Sequence, residues 1–220
     1  MTKSTQPTSS GSYAADLAAI IAPERLARSQ ASTRALQASG IEGNALAAGM
    51  IAPDFTLPDV RGEMVSLSDL RRSGPVVVTF YRGTWCPYCN LALRAYQHML
   101  PDLQALGAQL VAVSPQIPDE SLSMAEKNAL EFPVVSDLDN TVARQYGLVF
   151  TLDAETRERY LGMGNNLVHY NGNDAWELPM PGTFVVGQDG IITLAFAKAD
   201  YTQRLEPAEI LAALASQRTT

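Results

Sequence analysis

The stretch GPVVVTFYRG, running directly into TWCPYCN, constrains this chain more than any other part of it. Val76 to Tyr81 is β-branched and aromatic, with no alternation of apolar and polar residues. A short run of that kind is a strand buried on both faces, the place of a central strand in a parallel or mixed sheet. Such a sheet needs helices to cover it, so the fold class is α/β. The residues that follow, from Pro87 on, put Cys89, Ala92, Leu93, Tyr96, Met99 and Leu103 on one stripe of a helix. Pro101 is expected to kink or end that helix.

The remaining chain continues in the same style. DFTLPDVRGEMVSL sets Phe55 and Leu57 against Val65 and Leu67 around Gly62, a β-hairpin pattern. Strands are expected at residues 108–115 and in FPVVSD, and helices in PDESLSMAEKNAL, NTVARQYG and AETRERYLGMG. NNLVHYNGNDAWELP reads as a loop. TFVVGQDGIITLAFA reads as two strands around Asp189–Gly190, the strongest hairpin turn in the chain. A helix in EPAEILAALASQ closes one domain over residues 49–220, a mixed central sheet flanked by helices.

Ahead of it, residues 1–12 are polar and expected to be disordered. Residues 13–48 read as a helical extension, two Ala-rich helices parted at Pro23 and ended at Gly40. They are expected to pack on the domain or on a second copy, as a homodimer. Their small apolar faces bury little, so loss of residues 1–45 should leave the fold standing.

Net charge is −7, and the 16 Lys and Arg residues form no cluster beyond the Arg71–Arg72 doublet, which argues against nucleic acid as a partner. No apolar run has the length of a membrane span. MTKSTQPTSSGSY has no hydrophobic segment beside Lys3, so it does not read as a secretory signal and a cytoplasmic location is expected. A structural disulfide would be reduced there, which leaves catalysis or metal binding for the only two cysteines, Cys86 and Cys89.

Zinc normally takes four protein ligands. The chain has two cysteines and two histidines, with His98 on the solvated stripe Arg94–His98–Asp102 and His169 in a remote loop. Neither metal nor cofactor is therefore expected. Inert core thiols are the plainer alternative. The position argues for reactivity instead: Cys86 falls at the N-cap, Pro87 at the first helical position, and Cys89 one turn inside. Free N–H groups and the helix dipole favour a thiolate at that end. Cys86 is then the exposed nucleophile and Cys89 the more buried resolving partner.

Five segments, APDFTLPDVRGEMVSLSDL, GPVVVTFYRGTWCPYCN, LVAVSP, VVSDLDNTVARQYGL and PGTFVVGQDGII, stand in an order that resembles the peroxiredoxin-like branch of the thioredoxin-fold superfamily, the alkyl hydroperoxide reductase and thiol-specific antioxidant family. The resemblance covers roughly residues 50–215. It implies a thioredoxin fold and a thiol-dependent peroxidase that reduces hydrogen peroxide or alkyl hydroperoxides and is re-reduced by thioredoxin or glutathione. Two other readings stay open: a thiol–disulfide oxidoreductase without peroxidase activity, and a redox-sensing module without turnover.

Peroxiredoxins carry a Pro-x-x-x-Thr/Ser-x-x-Cys motif and a separate arginine. Placing their reactive cysteine on Cys89 puts Cys86 in the Thr place and Arg82 in the Pro place; placing it on Cys86 puts Gly83 and Thr79 there. The family's arginine precedes a strand like TFVV, where this chain has Pro181. A proline there resembles thioredoxins, so a cis Met180–Pro181 bond against the cysteines is expected, with Arg144 the reserve for the missing arginine. Thr84 offers a hydroxyl, Arg82 a positive charge and Trp85 an aromatic shield; their plain readings are a turn residue, a surface charge and strand-end packing. Trp176 and Glu177 lie in a loop able to cover the site.

Overall fold

The computed structural model describes residue 13 and residues 32–217. The expected tail at 1–12 and the helix break at Pro23 lie outside the described residues.

Residues 32–38 are helical and end at Gly40, whose φ of 77° is left-handed, as a glycine stop requires. β1 (Thr56–Pro58) and β2 (Met64–Ser66) form the expected hairpin, with Gly62 at φ 81°. α1 (Leu67–Arg71) follows, and then β3 (Val76–Phe80), buried along its whole length. α2 (Pro87–Ala105), β4 (Gln109–Ser114), α3 (Pro118–Asn128) and β5 (Val134–Ser136) complete the first half. α4 (Thr141–Gln145), β6 (Val149–Thr151), α5 (Ala154–Gly162), α6 (Leu167–Asn171) and β7 (Glu177–Pro179) come next. β8 (Gly182–Val186), β9 (Ile192–Ala197) and α7 (Pro207–Gln217) close the chain.

The main sheet has the order β5-β4-β3-β8-β9. β3 is its middle strand, parallel to β4 and antiparallel to β8, which is the mixed α/β arrangement expected. Its unbroken apolar run feeds two cores. Val77 packs on one face with Leu93, Tyr96 and Leu103 of α2 and Ile210 of α7. Val76, Val78 and Phe80 pack on the other with Tyr146, Leu148 and Phe184. Because β3 ends inside the sheet and α2 lies across it, the turn between them is held from both sides.

Three expectations change. Pro101 neither ends nor splits α2, which runs on to Ala105 with Pro101 exposed. A proline inside a helix costs about 3 kcal/mol. Full burial of Leu103 in the following turn contributes roughly 1.5–3 kcal/mol and so offsets much of that cost. The segment read as a loop at NNLVHYNGNDAWELP holds α6 and β7, the latter paired antiparallel with β6. Three-residue strands carry too little periodicity to show in sequence. Lastly, no peptide bond among the described residues is cis, so Met180–Pro181 is trans. Extended chain passes from β7 directly into β8, with the Met180 N–H donating to Leu148 O at 2.8 Å.

The link between residues 32–46 and the domain is closer than a loosely packed extension would make it. Ile41 joins the core, Leu46 N–H donates to Tyr146 O, and Gly147 meets Asn44 backbone to backbone. At Gly147 φ is 72°, and a Cβ would sit 1.9 Å from Asn44 O. Gly147→Ala should therefore cost about 2–4 kcal/mol, a left-handed penalty plus a clash with main chain. Urea unfolding checks this; a midpoint unchanged from the parent would show that the 41–46 segment moves away freely.

Candidate active site

The turn from β3 to α2, Tyr81 to Cys86, is built by its own side chains. Gly83 has φ 155° and leaves room for the Trp85 indole, whose Nε1 would lie 2.3 Å from a Cβ placed there. Cys86 N–H donates back to Gly83 O, and Cys86 O in turn accepts the N–H groups of Cys89 and Asn90. Cys86 is thus the N-cap of α2 and Pro87 its first residue, as expected. The Asn90 side chain ties the turn down, donating to Thr84 O and Cys86 O, each at 2.8 Å, while its own oxygen accepts from Asn128 at 3.0 Å.

Both thiols are free and fully buried, which removes the exposure on which Cys86 was singled out as the nucleophile. Two other parts of the chain lie against the start of α2. One comes from residues 199–206 after β9, the other from Tyr13, whose hydroxyl donates to Thr202 O. Arg204 stands in this cover. Its Nη2 lies 3.3 Å from Cys89 Sγ, its Nη1 donates to Tyr201 O and Gln203 O, and its guanidinium is 6.0 Å from the Tyr13 ring centre.

Arg82 stands at the other sulfur. It is buried at 5% exposure, contrary to a surface charge, and its guanidinium lies 4.0 Å from the Tyr201 ring centre and 5.0 Å from that of Trp85. Its Nη2 is 3.8 Å from Cys86 Sγ, within reach of a sulfur acceptor.

These contacts divide the pair electrostatically. Burial pushes the Cys86 thiol well up, and the hydrogen bond it gives to Cys89 pushes the same way; Arg82 and Arg204 offset this only in part. Burial also opposes charge on Cys89. There the Cys86 S–H, the Arg204 and Arg82 guanidiniums and the Arg82 backbone N–H together outweigh it, and hold the Cys89 thiol well below its ordinary range. The arrangement favours the charge on Cys89 and the proton on Cys86.

The other residues singled out in the sequence divide. Trp85 packs edge-on against Tyr160 at 5.3 Å and belongs with Trp176 to one aromatic cluster beside the turn. The Thr84 hydroxyl points away from sulfur chemistry, into Gln116 Oε1 and Glu120 O. Glu177 pairs with Arg144 at 2.6 Å, with more than half of the Arg144 side chain exposed, so Arg144 serves the surface rather than the thiols. His98 is exposed, and His169 lies 3.4 Å from Glu120. Sequence reasoning missed Arg204, Asn90 and Gln116. Arg204 sits in an irregular segment with no pattern around it; Asn90, a weak helix former on a buried stripe, was the one visible clue.

A cavity of about 890 Å³ opens beside Arg82, Trp85 and Pro87.

Residues 48–195 match the AhpC/TSA family. Peroxiredoxin Bcp of Escherichia coli (strain K12) is 35% identical over 105 residues, covering 48% of this chain and 67% of that protein. Thiol-disulfide oxidoreductase ResA of Geobacillus thermodenitrificans (strain NG80-2) is 30% identical over 170 residues, 75% of this chain and 80% of that protein. The crystal structure of peroxidoxin BcpB from Mycobacterium tuberculosis superposes with a TM-score of 0.62 at 24% identity, over 79% of this chain and 97% of that one, which establishes the thioredoxin fold. Tyr13, residues 32–39, Tyr201 and Arg204 all lie outside the matched residues.

Proposed function

Since the chain belongs to the AhpC/TSA family, we propose that it is a thiol peroxidase driven by the Cys86–Cys89 monoanion. The observation that carries this reading is a guanidinium on each sulfur at the start of α2: Arg204 Nη2 is 3.3 Å from Cys89 Sγ and Arg82 Nη2 is 3.8 Å from Cys86 Sγ. A thiolate is the nucleophile in peroxide reduction, and the surrounding donors and positive charges favour it on Cys89.

Cys89 then attacks the proximal peroxide oxygen and the O–O bond breaks. The Cys86 S–H, standing where the family has a Thr hydroxyl, gives its proton to the departing alkoxide or hydroxide. Cys89 is left as sulfenic acid and Cys86 as thiolate. Cys86 attacks the Cys89 sulfur, hydroxide leaves, and a disulfide closes across one helical turn. The sum is dithiol monoanion plus hydroperoxide giving disulfide, alcohol and hydroxide. Two electrons and protons from thioredoxin or glutathione restore the dithiol, which suits a reducing compartment such as the cytoplasm.

Because the Cys89 thiol is held low, peroxidase efficiency should be flat through neutral pH and fall only in acid, as Cys89 gains a proton. Stopped-flow rates across pH check the sign; a rate climbing steadily through neutral pH would place the charge elsewhere. The similarity to ResA, which extends over more of the chain than that to Bcp, favours disulfide exchange as the second reading. Peroxide consumption with thioredoxin, its reductase and NADPH, run beside insulin reduction, separates them. Turnover of insulin disulfides without peroxide consumption would replace the first reading by the second.

A further inference from the structure

We propose that the cavity beside the β3–α2 turn is a regulatory site for a carboxylate on an apolar body, held by Arg82 and bound more tightly once the two cysteines are joined as a disulfide. Neither Cys86 nor Cys89 lines this cavity, so its occupant is not the molecule that meets sulfur. The inference rests on the cysteine pair and goes beyond the question of what that pair reduces.

The first argument is an unmatched charge. Arg82 is 5% exposed and lines the cavity. Its guanidinium lies against the rings of Tyr201 and Trp85, and both of those residues line the same cavity. Among the described residues no carboxylate stands within ion-pair distance of Arg82, and its Nε–H has no hydrogen-bond partner. Buried charges are normally paired, and a guanidinium presents planar N–H donors that match a carboxylate. The sulfurs supply only part of that pairing. Arg82 Nη2 is 3.8 Å from Cys86 Sγ and Arg204 Nη2 is 3.3 Å from Cys89 Sγ, two guanidiniums against a pair that favours a single thiolate.

The second argument is the space around that charge. At about 890 Å³ the cavity falls within the roughly 300–1,000 Å³ of pockets that hold drug-sized ligands. Leu36, Phe150, Tyr160, Met163 and Tyr201 give it an apolar wall, which suits an aryl or branched alkyl body. The other two ionic side chains on the wall, Arg159 and Asp153, offset one another in charge and have local partners. Arg159 donates to Ser32 Oγ at 2.7 Å and Thr156 Oγ1 at 3.2 Å, and Asp153 caps α5 by accepting the Thr156 N–H at 2.7 Å. Arg82 is left as the charge without a match. Ser32, Thr33 and Leu36 precede residues 48–195, so this part of the wall lies outside the family match.

The third argument is linkage. A carboxylate on Arg82 and a thiolate on the pair draw on the same guanidinium and repel each other. When the pair closes as a disulfide, two electrons and the remaining proton leave, and the thiolate charge goes with them. The carboxylate then binds Arg82 without that competition. Linkage is reciprocal, so a ligand that prefers the disulfide form stabilises it by the same factor. A preference of about tenfold corresponds to a midpoint potential about 30 mV lower at saturation. An accumulating carboxylate thus makes the dithiol harder to regenerate.

The test uses the full chain, with 2-naphthoate as probe and 2-naphthamide as its neutral match. Each is titrated by calorimetry into the dithiol and into the disulfide formed with diamide. Naphthoate is expected to bind the disulfide about tenfold more tightly than the dithiol, and about tenfold more tightly than naphthamide does. Naphthamide should bind both forms equally. Saturating naphthoate should lower the midpoint potential by about 30 mV, read against a glutathione buffer. Arg82→Gln should erase the difference between acid and amide. Met163→Glu, at a half-exposed position on the wall, is the second variant should Arg82→Gln fail to fold. It should weaken naphthoate about fivefold and leave naphthamide unchanged. No binding, or equal affinity for acid and amide, would overturn the site. Equal affinity for the two redox forms would overturn its regulation of the pair. Either result beside peroxide turnover leaves the peroxidase reading standing. The expected binding in a protein that consumes no peroxide would strike that reading alone.

Discussion

Cys89→Ser is expected to abolish reaction with peroxide, lowering kcat/KM by more than about a thousandfold, because an alcohol is not ionised where a thiolate is. Cys86→Ser should behave differently. It keeps the sulfur that carries the charge and a hydroxyl hydrogen to donate, but has no second thiol. One equivalent of sulfenic acid should form on Cys89, trapped by dimedone, and multiple turnover should stop. This asymmetry separates the peroxidase cycle from ordinary disulfide exchange. Helix-end geometry alone favours Cys86 as the nucleophile; burial of both sulfurs and the contact of Arg204 with Cys89 favour Cys89 instead. Mass spectrometry of the two variants after one equivalent of peroxide decides the matter. A sulfenic acid on Cys86 in Cys89→Ser, with none on Cys89 in Cys86→Ser, would reverse the assignment.

The frame was legible in the sequence because it rests on strong, local patterns. Val76 to Phe80 had to be a central strand, and it is; Pro87 had to open a helix, and it does. The Asp189–Gly190 turn and the Gly62 turn lie in the hairpins they specify. Less legible was everything decided by tertiary approach. The cover over the cysteines comes from residues 199–206 and from Tyr13, more than 100 positions downstream and more than 70 upstream of Cys86. Nothing in TWCPYC states that its first cysteine will be buried. Arg82 illustrates the same limit. A lone arginine after a strand reads as surface charge, yet the Trp85 and Tyr201 rings flank it closely enough to keep it inside. The family motif supplied the question and an absence, the missing arginine at Pro181; only the fold could show which arginines stand near the sulfurs.

Arg204→Met should move the acid fall of kcat/KM for peroxide up by about one to two pH units, a loss of about 10- to 100-fold on the acid side that is recovered as pH rises. A hydrogen bond from a charged donor is worth about 1.5–3 kcal/mol, and one pKa unit corresponds to 1.36 kcal/mol, so removing Arg204 should raise the Cys89 thiol by about one to two units. The sign follows from the charge: without the guanidinium the thiolate is less stable, more thiol is protonated on the acid side, and the rate rises with pH until the new pKa is passed. Methionine keeps the apolar bulk beside Tyr13, so lost packing is a small part of the effect. Arg204→Lys should fall between, since an ammonium keeps the charge but not the fork that binds Tyr201 O and Gln203 O while reaching Cys89. Iodoacetamide alkylation of Cys89 in a Cys86→Ser background, followed across pH, isolates this from substrate binding. A profile unchanged in Arg204→Met would show that Arg82 and the helix end hold the thiolate without it. A rate lost equally at every pH would instead make Arg204 a structural clamp on residues 199–206.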